Sequence, residues 1–172
     1  QGLSNGVGFA MAERRLSSSV GEDIINHYTY VFAGDGCLME GLSHEACSLA
    51  GHLKLNKLIV FFDDNSISID GPLSHSSSDN VGQRFKSYDW NVLNIDGHNH
   101  DEIDEAIVKA KKSDKPTLIC CKTKIGIKSK SNCLVRTKLH LFNTYVIHSR
   151  LISFLAFMYF FSTIFMKKVL NG

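Results

Sequence analysis

Two short apolar runs, Tyr28-Thr29-Tyr30-Val31-Phe32 and Leu58-Ile59-Val60-Phe61-Phe62, each stop at a cluster of Asp and Gly or Asn. They are aromatic and β-branched, too short for helices and continuous rather than alternating, so they read as buried parallel strands. Between them Leu42, Ala46, Leu49, Ala50 and Leu53 recur at helical spacing, predicting an amphipathic crossing helix that starts near Glu40 and turns those five residues inward. A strand, a helix and a strand in that order form a right-handed β-α-β unit. Beyond it the pattern predicts a short helix over 81–88, a strand over 92–95 and a helix over 101–112 with Ile103, Ala106, Ile107 and Ala110 inward. Asn99 followed by Glu102 caps the start of that helix. A last buried strand spans 117–122. Helices and strands alternate, so the expected fold is α/β with a mostly parallel, doubly wound sheet.

The clusters that end the two strands are the candidate chemistry. Gly34-Asp35-Gly36 follows the first strand and Asp63-Asp64-Asn65-Ser66-Ile67 follows the second. In open α/β sheets ligands bind at the carboxyl ends of strands. Magnesium takes oxygen ligands and commonly uses one or two carboxylates together with phosphate oxygens. Asp35 can supply a carboxylate, Asn65 a side-chain carbonyl and Ile67 a backbone carbonyl, so Asp35 and Asn65 are expected to converge on one cavity. Gly34 and Gly36 would let the backbone approach a diphosphate and would tolerate unusual φ values. Taken alone, these are also ordinary turn formers.

Other constellations lead nowhere. His44-Glu45 begins like a zinc-protease helix, but position 48 is Ser and no second ligand follows, so the pair reads as helix surface or interface. A calcium loop from Asp63 fails because its sixth and twelfth positions are Ser68 and Ser74 rather than Gly and Glu. Gly2, Gly6 and Gly8 lack dinucleotide-binding spacing and read as close helix packing. Cys120 and Cys121 point to opposite faces of one strand and cannot share a metal.

Gly34-Asp35-Gly36-Cys37-Leu38-Met39-Glu40-Gly41, Ser43-His44-Glu45-Ala46, and Asp63 through Gly71 closely resemble the thiamine diphosphate motif of transketolases. His27-Tyr28-Thr29-Tyr30, Asn94-Ile95-Asp96-Gly97-His98 and Lys115 through Gly126 resemble the same family. The resemblance covers about residues 1 to 128. It implies the thiamine-diphosphate-binding fold and the cofactors thiamine diphosphate and Mg2+. Asp35, Asn65 and Ile67 would hold the metal, and Gly34, Asp35, Gly36, Asn65 and Ile67 would lie against the diphosphate. Glu40 matches a family glutamate with a supporting catalytic role across a dimer interface. The implied reaction is transfer of a two-carbon ketol unit between sugar phosphates, in the pentose phosphate pathway and the cytoplasm. A homodimer partner or further domains would supply the rest of the pocket.

At 172 residues the chain is long enough for one domain with a sizeable core. A whole transketolase is several times longer and has three domains, so this chain is expected to carry only the diphosphate and metal half of the site. The alternative is a non-catalytic, truncated or frame-shifted remnant. A formal charge of +2 excludes an extended nucleic-acid surface. Five cysteines, an odd number without framework spacing, fit a reducing compartment. No secretory signal is read at the start, which opens inside a motif.

Residues 1–130 are read as the partial diphosphate-side domain and 131–172 as an unrelated apolar and basic tail outside the core. In that tail Leu151 to Met166 runs sixteen residues without a charge, below the roughly 18 a membrane span needs. The tail is read as out-of-frame or unspliced sequence, with a short membrane anchor as the alternative.

Overall fold

The computed structural model describes residues 1–69 and 71–127, so the readings that fall on the tail lie outside the described residues. Gln1–Lys124 form one compact unit. Its elements are α1 (Gly2–Val20), β1 (Thr29–Gly34), α2 (Asp35–Met39), α3 (Gly41–His52), β2 (Leu58–Asp64), β3 (Ile67–Ser68), β4 (Gly71–Pro72), α4 (Val81–Ser87), β5 (Asn91–Asp96), α5 (His100–Lys111) and β6 (Thr117–Lys122).

Four strands form a parallel sheet in the order β1-β2-β6-β5, and β3 and β4 form a small antiparallel pair. Helices cover both faces. One core joins Leu3, Val7 and Ala10 of α1, Leu38, Ala46, Cys47 and Ala50, and Phe85 of α4 with Leu58, Val60, Phe62, Leu118 and Cys120 of the sheet. The other places Ala106 and Ala110 of α5 against Ile59, Phe61 and Ile119, with Ile103, Ile107 and Cys121 packed beside them. The α/β, doubly wound expectation therefore holds, and so does the opposite-face placement of Cys120 and Cys121. Burial pushes both thiols up to about 11, which keeps them protonated and unreactive at neutral pH. Among the described residues no helix is long and apolar enough to cross a membrane.

The cap on the last helix is also as expected. The Asn99 side chain accepts from the N–H groups of Asp101 and Glu102, and the Glu102 carboxylate reaches back to the Asp96 N–H at 2.8 Å.

Two local expectations are corrected, and a short helix stands where none was expected. Within α3 the inward residues are Ser43, Ala46, Cys47, Ala50 and Gly51, whereas Leu42 and Leu49 are exposed and Leu53 is half-buried. The helix turns its small face inward because its neighbours come so close: a Cβ on Gly51 would overlap the Tyr88 carbonyl. The chain leaving β1 enters the short helix α2 at Asp35, before α3 begins at Gly41. Finally, β1 is an edge strand buried on one face only. Phe32 is 68% exposed and stacks on Phe61 with ring centroids 5.1 Å apart.

Candidate functional site

Strand register assembles the site. Gly34 pairs with Asp63, Asp63 with Cys121, and Asp64 and Asp96 both with Lys122, so the carboxyl ends of all four strands meet along one edge. Asp35 begins α2 just beyond β1, and α2 packs against both β2 and β3. The two halves singled out in the sequence therefore share that edge.

Asp35 is only 6% exposed, and its Oδ2 is buried with no hydrogen-bond partner among the described residues. Burial pushes its carboxyl up to about 6; the negative charges of Asp64 and Asp63 add to the shift, while its own N–H and the Lys122 ammonium oppose it. A carboxylate so placed is short of a positive partner. At Gly34 and Gly36 an added Cβ would meet nothing within 4 Å, so the space in front of the β1–α2 junction is open. Neither glycine has a positive φ, which corrects the expectation that the turn needs their conformational freedom. The left-handed residues here are instead Ser66 and Ile69, with φ of 60° and 59°.

Asn65 is turned into its own loop. Its Oδ1 accepts from the Ile67 N–H at 2.9 Å, and its Nδ2 donates to Asp63 Oδ2 at 2.8 Å. A second lone pair on Oδ1 remains available. Ile67 faces Pro72 across the small hairpin, and Pro72 has no N–H to donate to the Ile67 carbonyl. Glu40 is exposed, and its side chain makes no capping bond to α3 although it occupies the cap position.

Among the described residues no three His, Cys, Asp or Glu side chains are grouped to hold a metal. A cation here would need a mixed set: one carboxylate, amide and backbone carbonyl oxygens, and oxygens brought by a ligand. That donor set suits magnesium with a diphosphate. The open space and the orphaned Asp35 oxygen fit the same group.

His44 is not part of this edge. Its Nδ1 lies 2.9 Å from the Tyr88 hydroxyl and its Nε2 is 3.4 Å from Arg84 Nη1, so it ties α3 to α4. A cavity of about 480 Å³ lies near the opposite edge, lined by Lys86, Lys109, Lys112 and Lys115 with Asp114. Asp89 and Glu105 pair with two of those lysines, and the carboxyl end of α5 adds negative potential, so its charges nearly cancel.

The sequence profile of the transketolase thiamine diphosphate binding domain matches residues 1–139. The chain belongs to the transketolase family. It is 58% identical over 134 residues to the transketolase of Buchnera aphidicola, covering 75% of this chain and 20% of that protein. Among solved structures, transketolase from Campylobacter jejuni is similar at a TM-score of 0.75 with 46% identity, over 76% of this chain and 21% of that one. Transketolase from Leishmania mexicana is similar at 0.73 with 42% identity, over 76% and 20%. The chain thus spans about a fifth of the length of the transketolases it matches. The match extends nine residues past the boundary expected at 130 and leaves 140–172 outside it.

In this transketolase-family chain the sequence reading passed over Lys122 and Thr123 as site residues. Lys122 Nζ donates to Asp64 Oδ1 at 3.2 Å and to Ser66 Oγ at 3.0 Å. The Thr123 hydroxyl bonds to Asp63, and its N–H donates to the Asp64 carbonyl at 3.2 Å. The available signal was positional: two polar residues end a buried strand at the same sheet edge.

Proposed function

We propose that this chain forms the diphosphate and magnesium half of a transketolase site. The observation that carries the reading is the buried Asp35 oxygen, unpartnered among the described residues, at the β1–α2 junction between two glycines whose Cβ positions are open. Asp35, the Asn65 amide oxygen and the Ile67 carbonyl hold Mg2+. Gly34 and Gly36 leave room for the diphosphate, which Asn65 and Ile67 would help to hold. The chemistry supplied by thiamine diphosphate, when bound, is a carbon nucleophile that also acts as an electron sink. The residues of this chain anchor and orient the cofactor's charged tail, and positioning of this kind is a large part of catalysis.

The exposed Glu40 carboxylate, free of any capping role, supports proton handling from a neighbouring subunit of a homodimer. Ketol transfer between sugar phosphates belongs to the whole enzyme, and this chain matches only about a fifth of the length of its relatives. Four free cysteines among the described residues accord with a reducing, cytoplasmic setting in the pentose phosphate pathway.

The test is calorimetric titration of the purified chain with thiamine diphosphate, with and without Mg2+. Binding that requires magnesium and disappears in Asp35→Ala supports the reading. Binding that is indifferent to both, or no binding at all, overturns it. Ketol transfer by the chain alone would show that the rest of the pocket is dispensable; none is expected.

A further inference from the structure

The loop from Asp63 to Ile69 is held in a conformation its residues do not favour. Ser66 and Ile69 have positive φ, and Ile69 is branched at Cβ. Non-glycine residues adopt such angles only where the surroundings hold them there. Backbone contacts supply part of that hold. The Ser66 carbonyl accepts from the Leu73 N–H at 2.9 Å, and Ile67 and Ser68 pair with Pro72 and Gly71.

The remaining support comes from the end of β6. Asp64 and Ser66 flank Asn65 on either side, and one ammonium, that of Lys122, reaches both at 3.2 and 3.0 Å. Its three donors on a flexible stem allow this double contact. Thr123 fixes Asp63 and the Asp64 carbonyl in the same way. Among the described residues Asn65 itself makes only bonds local to the loop, to Asp63 and Ile67. Its position therefore depends on its two neighbours being held.

We infer that Lys122 is a positioning residue: by clasping Asp64 and Ser66 together, it maintains the left-handed turn that presents Asn65 and the Ile67 carbonyl to the metal. The inference rests on the reading of those two groups as metal ligands.

Hydrogen exchange of the full, ligand-free chain tests the clasp without reference to the cofactor. The Lys122 side chain is 64% exposed, so Lys122→Met leaves the core intact while removing the donors. Exchange at the Ile67 and Leu73 amides should quicken by on the order of threefold, the size expected from losing one exposed ion pair and a hydroxyl contact. Lys122→Arg, which keeps a forked donor, should restore it.

Magnesium-dependent binding of thiamine diphosphate should weaken by a similar factor in Lys122→Met. The loss should shrink when Ser66→Gly removes the strain that the clasp opposes. Unchanged exchange in Lys122→Met overturns the clasp whatever the cofactor does. Unchanged exchange with an equal loss of affinity in both Ser66 backgrounds would instead show Lys122 acting directly on the ligand. An exchange effect without magnesium-dependent binding in the wild-type chain would overturn the metal reading, and with it the presenting role.

Discussion

Asp35→Asn should make the ligand-free protein more stable at neutral pH, because the fold works against the negative charge of the buried Asp35 carboxylate. An acid whose folded-state pKa is raised opposes folding when ionised. The folded protein keeps the Asp35 proton between pH 3.8 and about 6, where the unfolded chain has released it. Stability therefore falls as pH rises through that window and stays low above it. A shift from 3.8 to about 6 corresponds to about 3 kcal/mol at pH 7. Of this, roughly 1 kcal/mol accrues between pH 5 and pH 7. The amide keeps the shape but remains a buried polar group, so the net gain at pH 7 should be smaller, about 1–2 kcal/mol. Urea unfolding of both proteins at pH 5 and pH 7 provides the measurement. The advantage of Asp35→Asn should widen by about 1 kcal/mol over that interval. Adding Mg2+ with thiamine diphosphate at pH 7 should stabilise the wild type and leave the variant unchanged. An advantage equal at the two pH values, or a variant less stable at pH 7, would refute the electrostatic account.

Gly36→Val should separate folding from binding. The added side chain meets open space and replaces a helical glycine, so stability should hold within about 1 kcal/mol while magnesium-dependent cofactor binding disappears in calorimetry. Gly51→Ala should do the reverse, costing about 2 kcal/mol or more in urea unfolding because its Cβ would overlap the Tyr88 carbonyl. A chain ending at residue 130 should keep the cooperative unfolding of the Gln1–Lys124 unit and gain solubility; loss of that transition would place part of the core in 131–172.

Much of the fold was legible because its signals are local. Short apolar runs, four to six residues long, predicted β1, β2, β5 and β6 to within two residues. The Asn99 cap and the alternation of helix and strand predicted α5 and a parallel sheet. The placement of Asp35 and Asn65 at one sheet edge was legible for the same reason, since each closely follows a strand-like apolar run.

The tertiary structure decided what periodicity cannot express. Leu42 and Leu49 have the right spacing for a core, yet they face outward because the partners of α3 come close enough to admit only Ala, Ser, Cys and Gly. Gly34 and Gly36 invite an argument from φ, yet they matter for the volume in front of them. The orphaned Asp35 oxygen and the Lys122 clasp exist only once register has brought β1, β2 and β6 side by side. Sequence reports how each residue relates to its near neighbours along the chain; burial, charge coupling and strain depend on which distant residues the fold places against it.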